Sequence, residues 1–164
     1  MSKRASTAGG DLWTCPRCGR RFRRQNQAHS CQSRAVDDHF RGRSPDLREL
    51  FDALRSRLER SGPLRVDAVK SSINLISTHH FGGVAVRRDH LRVGFILDHA
   101  IDAGRITRVE QFGPHRFGHH IELRSPADLD AEVLAWLAEA QALQRRPQPG
   151  RCAPSGLGRR ARSR

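Results

Sequence analysis

Three cysteines and one histidine crowd into a single short run, WTCPRCGRRFRRQNQAHSC, spanning residues 13–31. Trp13 and Phe22 are its only large apolar side chains. A segment this small cannot fold on burial alone and must draw its stability from metal ligation. Cys15 and Cys18 form a Cys-x2-Cys knuckle that offers two thiolates from one tight turn, and Pro16 and Gly19 help the backbone curl around a metal. After ten intervening residues, His29 and Cys31 supply two further ligands from the far side, at the end of a short helical turn expected through Gln25 to Ala28. Four protein ligands complete a tetrahedron, so the expected cofactor is one structural zinc ion, with no open position for a catalytic water. Which nitrogen of His29 binds is not readable from the sequence.

The same cluster argues against a disulfide framework, and Cys152 stands apart in a polar tail as an exposed thiol. A chain of 164 residues holds one ordinary core beside such a module. No run of eighteen apolar residues is present, and the first thirty positions lack the apolar stretch of a secretory signal. The expectation is therefore a cytoplasmic protein with no membrane partner.

The formal charge of +13 is concentrated at the two ends. Residues 1–36 carry eight Lys or Arg against Asp11, a net +7, and residues 145–164 carry seven Arg and no acid, also +7. The intervening chain holds 15 basic and 16 acidic side chains and is electrostatically ordinary. Basic ends of this kind attract polyanions through phosphate contacts and counterion release. Arg20, Arg21, Arg23 and Arg24 lie inside the metal module, where a rigid frame would present their guanidiniums to phosphates, with Phe22 in the mini-core or free to stack on a base. An acidic protein would suit the same surface. No recognition helix of the two-histidine finger type fits between Cys18 and His29, so sequence-tolerant binding is expected.

Composition divides the chain into a flexible arm (1–12), the zinc-finger-like module (13–32), a linker (33–43) in which His39 or Phe40 could anchor the module to the body, an α+β domain (44–143) and a disordered Arg-rich tail (144–164). Ser44 and Pro45 open a helix that places Leu47, Leu50, Phe51, Leu54 and Leu58 on one face before Ser61-Gly62-Pro63 stops it. Ser125-Pro126 repeats the device, with Asp128 at the third helical position and Leu129, Val133, Trp136, Leu137 and Ala140 at helical spacing. Between the helices, strand-like runs cover 73–76, 84–86, 91–97, 106–111 and 119–123. Gly82-Gly83, Asp89-His90 and Ala103-Gly104 read as turns, and the short links favour an antiparallel meander. The stretch 66–72 is ambiguous between helix and strand.

Several motifs together, WTCPRCGRRF with the subsequent HSC, His39-Phe40, the stretch Gly62-Pro63 to Lys70-Ser71, Phe81-Gly82-Gly83-Val84 leading into 91–97, and Asp128-Leu129-Asp130 through Trp136-Leu137, resemble a bacterial family. This is the domain of unknown function numbered 5655, in the version with an N-terminal zinc-finger-like segment. The resemblance covers roughly residues 13–143 and implies a compact α+β domain with no established activity, so it transfers no catalytic residue. From the residues themselves, Lys70 beside Ser71 and Ser72 could act as a base or phosphate clamp. On an alternating strand His120 and Glu122 share a face, with His119 opposite, and could form an acid/base pair or part of a second metal site. The reading is a non-enzymatic zinc-binding protein, a nucleic-acid-associated or adaptor module. The other class of function open to it is an enzyme or small-ligand binder with a cleft in the body.

Overall fold

A computed structural model describes residues 13–22, 24–27, 29, 31 and 34–144. The arm 1–12, Arg23, Ala28, the tail from residue 145 and Cys152 lie outside the described residues.

Helix α1 (Pro45–Ser61) starts where the sequence places it, with the Ser44 hydroxyl accepting from the Asp46 amide at 3.3 Å and Pro45 at the first position. Its buried residues are Leu47, Leu50, Phe51, Leu54 and Leu58, the five that share the apolar stripe. Ahead of it, residues Val36–Phe40 form a single 3-10 turn whose Phe40 ring rests 5.5 Å from that of Phe51.

Two short strands, β1 (Trp13–Thr14) and β2 (Arg21–Phe22), pair antiparallel in the N-terminal module. Six more form one antiparallel sheet: β3 (Arg65–Ala68), β4 (Ile73–Ile76), β5 (His80–Val86), β6 (Leu91–Leu97), β7 (Arg108–Gly113) and β8 (Arg116–Leu123). The strand order is β3-β4-β5-β6-β8-β7. The expected meander therefore holds up to β6, after which the final hairpin is reversed and β8, not β7, pairs with β6. The loop 98–107 makes this possible by running past the position of one strand. It is pinned where the Ile101 amide donates to His119 Nε2 at 3.0 Å and where Arg105 meets Asp130 and the Asp128 carbonyl.

Period-two alternation separates the two faces of the sheet. In β6, Leu91, Val93, Phe95 and Leu97 are buried, as are Ile121 and Leu123 of β8, Val84 of β5 and Ile73 and Leu75 of β4. These side chains share one core with α1 and with α2 (Ala131–Leu143), which buries Val133, Leu137 and Ala140. Gln141 of α2 is fully buried, and its amide donates to the carbonyls of Leu58 and Pro63, satisfying the C-terminal end of α1. Both helices thus belong to one face, and no helix packs on the other among the described residues.

Two local readings are corrected by the structure. Gly82-Gly83 sits inside β5 rather than in a turn, which falls instead at Ser77–His79, where the Ser77 amide donates to the His79 carbonyl. The C-terminal helix begins five residues after Pro126. Ser125-Pro126 opens only a 3-10 turn (Pro126–Asp128), because Asp128 Oδ2 folds back to accept from the amides of Arg124 (2.7 Å) and Ser125 (2.9 Å). Asp130 is the true cap of α2, its Oδ1 accepting from the Val133 amide at 3.0 Å. The ambiguous stretch 66–72 resolves as strand β3 and the turn after it.

The backbone amide of Arg124, followed by that of Ser125 and the charge of Arg105, holds the Asp128 carboxyl below its ordinary range despite partial burial. Because its pKa is lower folded than unfolded, its contribution is complete above the unfolded value of about 4 and is lost as pH falls through the folded value. Asp128→Ala should cost about 1 kcal/mol at neutral pH, as loss of a capping carboxylate does. Thermal unfolding of parent and variant between pH 7 and pH 2 should show the difference shrinking on the acid side.

Candidate metal centre

The first turn of the finger is set by backbone. The Cys15 amide donates to the Arg20 carbonyl and the Gly19 amide to the Cys15 carbonyl, both at 2.8 Å, and Gly19 takes the left-handed conformation (φ 70°). This knuckle turns the Cys15 and Cys18 thiols to the same side. The return segment turns at Asn26, also left-handed (φ 56°), and no helix is assigned among residues 24–27. It brings His29 Nε2 to 3.3 Å from both Cys18 Sγ and Cys31 Sγ, while Cys15 Sγ lies 3.8 Å from Cys31 Sγ. The four ligand atoms lie within 4.8 Å of one another, so Cys15, Cys18, His29 and Cys31 are placed to hold a metal ion.

The binding nitrogen of His29, open in the sequence, is fixed by the second contact of its ring. A carbonyl can only accept, so the 2.6 Å contact between Nδ1 and the Gln27 carbonyl puts the proton on Nδ1 and leaves Nε2 to face the sulfurs. Burial pushes the Cys15 thiol up, but donation from the amides of Arg17 and Cys18, with contacts from the other two thiols, outweighs it and brings the group to about 6. Cys31 moves the other way, raised by burial and by its sulfur neighbours. Thiolates crowded together repel unless a cation lies between them. Phe22 packs at a tilt against His29 (centroids 4.2 Å apart) with Trp13 beside it at 6.0 Å, which assigns Phe22 to the mini-core rather than to an exposed stacking surface.

Of the four arginines singled out in the sequence, Arg20 turns inward. Its Nε donates to Asp67 Oδ2 at 2.8 Å and its Nη2 to the Ala68 carbonyl at 3.3 Å, with side chains only 12% and 18% exposed for Arg20 and Asp67. The finger is thereby tied to edge strand β3. Arg21 and Arg24 are exposed, as is Arg17, which sequence reasoning passed over because it sits between the ligands.

The other candidates are dispersed. Lys70 is exposed. His120 and Glu122 share the uncovered face of β8, but Glu122 pairs with Arg124 (2.9 Å) and approaches His90 (3.6 Å). The carboxylate facing His120 is Glu110 of β7, at 3.9 Å. Burial first, then the charges of Arg92 and Arg108, keep His120 below its ordinary range against the pull of Glu110, so it is neutral at pH 7. His119 lies on the core side as alternation requires, stacked on Phe95 (5.3 Å), and is kept neutral by its burial and by His99. His120 lines a cavity of about 320 Å³ on the uncovered face of the sheet. No helix among the described residues is long and apolar enough to cross a membrane.

No curated protein and no solved structure matches the chain. A family model does match, over residues 36–144, from the 3-10 turn before α1 to the end of α2. Two thirds of the sequence is thus accounted for by one description, and the chain belongs to the family Domain of unknown function (DUF5655), with the Cys/His cluster that is placed to hold a metal ion lying ahead of the matched domain.

Proposed function

We propose that the protein is a zinc-stabilised module that binds nucleic acid through the phosphate backbone. The zinc assignment is supported by chemistry and dimensions. Three thiolates and one imidazole are a donor set that suits zinc, and a tetrahedron with bonds of about 2.3 Å to sulfur and 2.0 Å to nitrogen has edges of about 3.8 Å (S–S) and 3.5 Å (S–N). The contacts of 3.8 and 3.3 Å lie close to those edges. Zinc held by four protein ligands supplies fold, not a reactive site.

The observation that carries the nucleic-acid reading is the Arg20–Asp67 ion pair. By anchoring the finger to β3 it holds the exposed guanidiniums of Arg17, Arg21 and Arg24 on one frame with the body, so little ordering entropy is lost when they meet phosphates. The Arg-rich residues 145–164 add seven charges. An acidic protein is the competing partner for this surface, and comparison of nucleic acid with polyglutamate separates the two.

Three outcomes are expected. Native mass spectrometry should find one zinc per chain, lost to a chelator, and Cys15→Ser with Cys18→Ser should unfold the finger while α1, α2 and the six-stranded sheet remain folded. Arg20→Ala should retain zinc yet release the finger, read as faster backbone 15N relaxation in residues 13–31 than in the body. Equal relaxation would refute the anchoring role. In a salt titration, the intact chain should bind single- and double-stranded DNA and RNA with little sequence preference. Joint replacement of Arg17, Arg21 and Arg24 by Ala should then flatten the dependence of log K on log salt by up to about 3, near one unit per phosphate contact. Absence of binding at low salt, or equal binding to polyglutamate, would overturn the nucleic-acid reading.

A further inference from the structure

The uncovered face of the sheet has an unusual floor. Strand pairing sets Asn74, Gly83, Gly94 and His120 side by side across β4, β5, β6 and β8, so two neighbouring central strands present glycine at the same level. Glycine inside a strand costs roughly 0.5–1 kcal/mol through chain entropy and lost packing. Neither glycine is required by its backbone, since the left-handed glycines of the described chain are Gly19, Gly42 and Gly62.

Steric space explains them instead. A Cβ on Gly94 would stand 3.2 Å from the His120 imidazole, so glycine there lets that ring lie flat against the sheet. A Cβ on Gly118 would come within 2.6 Å of the Phe112 ring, so this second glycine lets Phe112 fold over β8 although it remains 59% exposed. A Cβ on Gly83 would meet nothing closer than the Ile73 carbonyl oxygen at 3.4 Å, which leaves the middle of the floor bare. Two glycines therefore seat the walls, and the third keeps the trough open.

The walls carry complementary chemistry. Phe112 and Ile96 give an apolar end, Asn74 and the neutral His120 offer hydrogen bonds on either side, Arg92 stands at the other end, and the lining carboxylate of Glu110 is held in an ion pair by Arg108. Arg92 makes no salt bridge among the described residues, because Glu122, opposite it in register, is taken by Arg124. Bare backbone flanked by aromatic and aliphatic walls receives a flat ring, and an unpaired guanidinium at one end receives an anion. A volume of about 320 Å³ is at the small end of ligand cavities.

From this arrangement we infer that the glycine-floored trough is a binding site for a small molecule with one flat aromatic or heteroaromatic ring and one anionic group, held by Phe112 and Arg92. The site is separate from the finger and does not depend on the nucleic-acid reading.

The intact zinc-loaded chain, labelled with 15N, would be titrated with the four nucleoside 5′-monophosphates and with benzoate and indole carboxylates as separate arms, which distinguish a phosphate source from a carboxylate source. At least one probe should shift the amides of Gly83, Gly94 and Phe112 together. Arg92→Ala should weaken that probe about tenfold while leaving its uncharged counterpart, the nucleoside or the arene amide, unaffected. Gly83→Leu should abolish binding of both by filling the floor, with zinc content and polyanion binding unchanged. No co-localised shift with any probe at millimolar concentration, or full binding by Gly83→Leu, would overturn the inference. The finger variants at Arg17, Arg21 and Arg24 should bind the probes as the parent does.

Discussion

The structure depends on the alternation of β6. Leu91, Val93, Phe95 and Leu97 enter one core with α1 and α2, so Arg92, Gly94 and Ile96 have to lie on the opposite face. Since β5 and β8 pair with β6 along its length, their faces are fixed with it. A shift of one residue would send four large apolar side chains to water and a guanidinium into the core, so the register is strongly specified. The uncovered face is therefore the necessary remainder of the core's construction. Its contents could vary without loss of the fold, which is why a line of glycines there needs a separate explanation.

The N-terminal module is held by different forces. It has almost no apolar interior beyond Trp13, Phe22 and the His29 ring, and its geometry is organised around four ligand atoms. It also gives up one of its arginines to the body. A largely buried Arg20 side chain facing Asp67 trades solvation for a directed ion pair and a bond to the Ala68 carbonyl on an edge strand that otherwise has only β4 beside it. Edge strands with unpaired backbone groups invite unwanted pairing, and the docked finger partly covers this one, where the Arg34 amide also reaches the Ala68 carbonyl.

Much of this was legible in the sequence because the determining signals were local and periodic. The five apolar residues of α1, the bounds of β4 and β6 and the metal quartet all rest on spacing alone. Where reading failed, a local signal had two meanings. Glycine pairs usually mark turns, and Gly82-Gly83 does not, because a Cβ on Gly82 would stand 2.5 Å from the Gly94 carbonyl oxygen, and glycine there lets the two strands approach. Ser125-Pro126 is a helix-start signal, but Asp128 and Asp130 both compete to cap, and the later one wins the longer helix. The exchange of β7 and β8, the pairing of His120 with Glu110 and the inward turn of Arg20 are contacts between distant segments, which no window of sequence displays.

The two candidate surfaces obey different physics, and this bears on how one small protein could use both. Exposed guanidiniums on the finger act through fields that fall off over about 8 Å at physiological salt, which on the proposed reading favours an extended and highly charged partner. The trough acts at contact, where a single charge beside an apolar wall counts for more because water is excluded on binding. The finger docks on β3, and the trough lies across β4, β5, β6 and β8 with Arg92 at its end. With the central segment almost neutral overall, selection in the trough rests on Arg92, on the Arg108–Glu110 pair beside His120 and on shape.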